Sequence, residues 1–217
     1  MVGAVVGEVW RLFLARFWRT LVIVALLLAP IELVVLLLEP DFDSLGRWAA
    51  WVALIAVVGL ISFPWVIGAL VHDAAESDPT PVEAYRRTAG HLPDLILSSV
   101  VTTVGIALGT LALIVPGLVL LARWALVVPL IVLEGASWRE ALSRSNDLVR
   151  GRTWPVLGVF VVLTLIGAVV IAVPVVLGYV VVEGVLGAWL ATLAIDTVVI
   201  ALYSFAPLVL YRRLATQ

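Results

Sequence analysis

A chain of 217 residues that is 64% hydrophobic and 13% charged carries too much apolar surface for water; soluble domains run at about 45–50% apolar and about 25% charged. The formal net charge of -2 argues against nucleic acid as a main partner, and the absence of Cys excludes disulfides and thiolate metal sites. A mean hydropathy of +1.20 requires lipid as solvent and predicts an all-α polytopic membrane helix bundle, built as a single membrane domain over 1–217.

The N-terminal segment places Trp10, Phe13, Leu14 and Phe17 on one helical side and Glu8, Arg11 and Arg19 on the other, with Leu12 out of pattern. It does not read as a cleavable signal, because Arg11, Arg16 and Arg19 follow the first apolar residues and no small-x-small site follows a short apolar core. Six stretches then approach the roughly 17–25 apolar residues a spanning helix needs: 20–38, 48–71, 94–115, 117–134, 154–181 and 185–211. The third and fourth are separated only by "IVPGL", where Pro116 lacks an amide proton and Gly117 tolerates reversal, so a tight turn is expected there. The fifth is long, which predicts tilt or a kink near Pro174.

Arginine placement sets the orientation. With both termini in the cytoplasm of a cell-membrane protein, that side holds Arg11, Arg16, Arg19, Arg86, Arg87, Arg139, Arg144, Arg150, Arg152, Arg212 and Arg213. The opposite side holds Arg47, in the acidic loop "EPDFDSLGR", and Glu183. Trp10, Trp18, Trp48, Trp51, Trp138 and Trp154 fall near span ends, where amphipathic rings favour the headgroup zone.

Two connectors match without gaps at an offset of 57: "TPVEAYRRT" (80–88) and "SWREALSRS" (137–145). Each begins with Thr or Ser and has Glu three residues on, the pattern of a reciprocal capping box. Pro81 takes a first-turn position, Glu83–Arg87 and Glu140–Arg144 are i,i+4 pairs, and Gly90 and Gly151 supply stops. In the second helix Trp138, Ala141, Leu142, Ser145, Leu148 and Val149 form one stripe, with Arg139, Glu140, Ser143, Arg144, Asp147 and Arg150 facing away. Such helices are expected to lie in the interface or to cover the span ends. The layout predicts three parallel repeat units, 1–72, 77–134 and 136–213, each an amphipathic helix followed by two spans; convergence between short capped helices is the competing account.

The stretch "RWALVVPLIVLEGASWREALSRSNDLVRGRTWPVLG" (123–158) resembles the membrane domain found in some glycerophosphoryl diester phosphodiesterases and related multi-pass proteins. The similar features are Arg123-Trp124, Pro129, Glu134-Gly135, Glu140-Ala141, Arg144-Ser145 and Leu148 through Gly151. In that family the diesterase chemistry belongs to a separate soluble domain. No stretch of these residues is long or polar enough to be that domain, so the resemblance implies the membrane module and no enzymatic activity.

Arg123 lies inside an apolar run, where insertion at mid-span costs about 2.5–3.5 kcal/mol. Glu32 and Arg123 are placed at similar depth in the outer half, with Asp196 deeper in the sixth span, and the three are expected to form one polar cluster. Three readings stay open: a site for an anionic headgroup or coupling ion, a pair that fixes helix register, or snorkelling of Arg123 to the interface. His72, Asp73 and Glu76 share a helix face near His91 and Asp94, but a solvated loop is the simpler reading than a metal site. Gly105 and Gly109 form a GxxxG pattern that chance explains in so Gly-rich a chain. No serine triad, phosphate loop or "HExxH" is present, and no cofactor is implied. The expected function is therefore a non-enzymatic accessory or scaffolding module that contacts membrane lipids or another membrane or cytoplasmic protein. The alternative is a solute or lipid transporter using the polar cluster.

Overall fold

The computed structural model describes residues 1–37, 44–75, 79–176 and 184–215, and among them every regular element is an α-helix. Six helical segments are long and apolar enough to cross a bilayer. They are α2 (Phe17–Leu37), α3 (Leu45–Ala75), α5 (Leu92–Ala112), the consecutive pair α6 (Ile114–Arg123) and α7 (Val127–Glu134), α9 (Thr153–Val176) and α10 (Val185–Ala215). Three shorter helices precede successive pairs of spans: α1 (Val2–Ala15), α4 (Pro81–Ala89) and α8 (Trp138–Val149). Most of the acidic connector, together with Glu76 and Glu183, lies outside the described residues. Pro174 falls in the last turn of α9.

Packing is uneven along the spans. In α3 the run from Val66 to Ala74 is buried apart from half-buried Ile67, and in α10 Val198 to Leu210 is buried apart from Val199 and Tyr203. The other ends are bare: Leu45, Trp48, Val52, Leu54, Ile55 and Val57 of α3 and Leu108 and Leu111 of α5 are exposed. The core thus sits at the arginine-rich end, where α1, α4, α7 and α8 surround the buried halves of α3 and α10. Toward the other end the spans present their apolar surface outward, as lipid solvent allows.

The third and fourth spans pack closely against each other, and the reversal between them occurs earlier than the sequence suggests. Leu113 alone leaves the helical conformation, with φ -164° and ψ 142°, while Pro116 sits in the first turn of α6, where a missing amide proton costs nothing. Gly117 serves a different purpose from the expected turn. A Cβ there would lie 2.0 Å from the Thr110 hydroxyl and 2.8 Å from its backbone nitrogen. Gly105 and Gly109 belong to the same contact, facing the Trp124 ring and Gly117. The GxxxG pattern is therefore used, within one helical hairpin.

Candidate functional site

At the arginine-rich end, the short helices are fastened by hydrogen bonds that reach across the chain. Thr80 accepts from the Glu83 amide at 3.3 Å while the Glu83 carboxylate accepts from the Thr80 amide at 2.8 Å, a complete capping box at the start of α4. These bonds hold the Glu83 carboxyl below its ordinary range. Tyr85, buried on the inner side of α4, donates its hydroxyl to the Ile23 carbonyl of α2 at 2.7 Å, and its own carbonyl accepts from Trp65 Nε1 of α3 at 3.0 Å. Burial pushes the Tyr85 phenol up.

The α8 start is capped differently from the expected box. Ser137 makes no side-chain cap; instead Asp94 at the start of α5 accepts from the Trp138 amide at 3.0 Å. Glu140 remains exposed, and Arg144 pairs with Glu134 of α7, whose second oxygen accepts from the Tyr211 hydroxyl at 2.7 Å. Burial along α8 follows the stripe, with Ala141, Ser145 and Val149 inside and Arg139, Glu140, Ser143, Arg144, Asp147 and Arg150 exposed.

The central ionic contact was invisible to local pattern. Asp73 is fully buried; one carboxylate oxygen accepts from Arg16 at 2.9 Å and the other from Arg19 Nε at 3.0 Å. Arg19 also reaches the Pro79 carbonyl, and Arg213 of α10 donates to Glu8 of α1 at 3.1 Å. What the sequence does offer is an acid near the end of an apolar helix and two arginines on either side of the start of α2, without the pairing between them. His72 and His91 ring centres lie 6.4 Å apart, but Asp73 and Asp94 are engaged elsewhere. Among the described residues, no three His, Cys, Asp or Glu side chains are grouped to hold a metal.

The polar residues of the spans divide into two places. Glu32 and Asp196 line one cavity of about 120 Å³ between α2, α3 and α10, shared with Ser62 and otherwise apolar side chains. Both Glu32 oxygens are buried and Asp196 is the ionisable group beside them. Arg123 is elsewhere. It closes α6, its side chain is exposed, and its carbonyl accepts from the Ser145 hydroxyl of α8 at 2.7 Å. Leu121, two residues earlier, lines a groove with Leu157 near the start of α9, which puts Arg123 toward the arginine-rich end. Ser145 also accepts from the Leu126 amide at 3.1 Å, so one buried hydroxyl serves both sides of the break between α6 and α7. Hydropathy does not mark this break, since Arg123 is flanked on both sides by apolar residues of one continuous run.

These features define a polytopic helical membrane domain whose short amphipathic helices pack on one end of six spans. Residues 89–214, more than half of the chain, match the family model for the membrane domain of glycerophosphoryl diester phosphodiesterase, and the chain belongs to that family. Neither the curated proteins nor the solved structures yield a match.

Proposed function

We propose that this protein is a non-enzymatic accessory module of the cell membrane, with both termini in the cytoplasm. Its short helices sit at the inner headgroup level, where they contact lipids and partner proteins. The observation that carries this reading is the fastening of α1 to α10, of α4 to α2 and α3, and of α8 to α5 and α7, with the charged faces of α4 and α8 left outward. Arginine distribution supports the inward orientation. The order of short helix, span, span, met three times, supports the repeat units 1–72, 77–134 and 136–213. Spin labels at single cysteines replacing Val82 and Ser143 test it: relaxation agents should place both at headgroup depth. Labels with the accessibility of free aqueous sites would overturn it.

The cavity holding Glu32 and Asp196 favours a second reading, a transporter, because acids within membrane spans mark ion or substrate pathways. Two carboxylates facing one cavity can share a proton or hold a cation. Proteoliposome flux that is lost in a well-folded Glu32→Gln variant would favour transport over the accessory role.

A further inference from the structure

We propose that the junction of α6, α8 and α9 is a binding site for an anionic phospholipid, with its phosphate on Arg123, Arg150 and Arg152 and one acyl chain in the groove between α6 and α9. The proposal rests on the reading that this end meets lipid headgroups, and it names the site and the lipid class.

Arg123, Arg150 and Arg152 stand on backbone segments that meet there. Arg123 ends α6 with its carbonyl held by Ser145. Arg150 follows α8, five residues beyond Ser145 and on the exposed side of that helix. Arg152 donates its amide to the Val149 carbonyl at 2.8 Å, and its carbonyl accepts the Val156 amide at 3.0 Å, so it opens α9. Arg123 and Arg150 are exposed and Arg152 is half-buried. Among the described residues no carboxylate pairs with any of the three, in contrast to Arg16, Arg19, Arg144 and Arg213. Asp147, exposed on α8, is the nearest acid in sequence, and its carbonyl accepts from the Arg150 amide. The start of α9 adds the positive end of a helix dipole.

An independent feature continues from this cationic corner. Leu121 and Leu157 begin a mostly apolar groove of about 210 Å³ that also takes in Phe160 and Leu165, with the paired Thr164 and Tyr203 hydroxyls as its polar part. Closed small-molecule sites begin at about 300 Å³, so this shallower space suits a hydrocarbon tail lying along two helices. Trp154, 68% exposed at the start of α9, sits where indole rings favour the headgroup zone. Charge above and a tail-shaped groove below fit a lipid; free phosphate would use only the first.

The test is native mass spectrometry of the full chain in detergent, titrated with phosphatidylglycerol, phosphatidylcholine or inorganic phosphate. Phosphatidylglycerol should be retained about tenfold or more over phosphatidylcholine, and each Arg→Gln change should cost about fivefold. The triple variant R123Q/R150Q/R152Q should level the two lipids, while R139Q leaves the preference intact, since Arg139 stacks on Trp138. Leu165→Trp fills the groove without altering charge and should weaken lipid retention even if the arginine variants fail to insert. Equal retention of the two lipids by the native chain would overturn the proposal. So would a preference surviving the triple change, or inorganic phosphate held as well as lipid. Headgroup-level spin labels with no lipid preference would remove this site alone; labels in free water would remove the accessory reading as well.

Discussion

Asp73 has no access to solvent, yet both of its oxygens meet arginines. Removing one partner of a buried ion pair costs about 3–5 kcal/mol. The arginine side chains here are 21% and 34% exposed, so Asp73→Asn should fall at the lower end, about 3 kcal/mol, read as thermal unfolding in detergent. Tyr85→Phe removes one hydroxyl bond and leaves the ring packed, so about 0.5–1.5 kcal/mol is expected. Glu83 gives a pH dependence. Its folded carboxyl titrates below the unfolded value of about 4.3, so the cap contributes above that value and is lost as pH falls through the folded one. Amide exchange in the first turn of α4 should therefore accelerate on acidification beyond its intrinsic rate, and Thr80→Ala should remove that excess. The Thr80–Glu83 box was legible because its partners are three residues apart. Asp94 on the Trp138 amide was not, because 44 positions separate them.

The elements were legible: six spans follow from the length of the apolar runs and the amphipathic face of α8 from helical spacing, since lipid and core both select by hydropathy. Interruptions were harder to read. The turn after α5 falls at Leu113 because any residue adopts its extended backbone, whereas Pro116 and Gly117 serve helix start and close approach. Gly117→Ala forces backbone movement at Thr110, and an overpacking cost of about 1–3 kcal/mol is expected. The break between α6 and α7 depends on a hydroxyl from α8 that joins it only after folding. Ser145→Ala leaves the Leu126 amide without that partner in a buried place, a loss of about 1–3 kcal/mol. Comparing the two variants by unfolding in the same detergent separates hairpin packing from break capping.

At the scale of the molecule, composition alone fixes the solvent as lipid, and arginine distribution divides the chain into two ends. What it does not disclose is where the spans are held together. The ion pairs of Asp73 with Arg16 and Arg19 and of Glu8 with Arg213 supply cross-links between partners 54 to 205 residues apart in sequence. Glu32 lines a cavity with Asp196, which its sequence position places deeper, and not with Arg123, whose expected depth matched its own. The proposed function requires α4 and α8 to lie on one face of the bilayer, the cytoplasmic one. The native chain has no cysteine, so a single introduced thiol reports unambiguously. Labelling of intact cells with an impermeant maleimide should leave Val82→Cys and Ser143→Cys unreacted until the membrane is opened, and should modify Ser44→Cys directly. Opposite accessibility for positions 82 and 143 would contradict it.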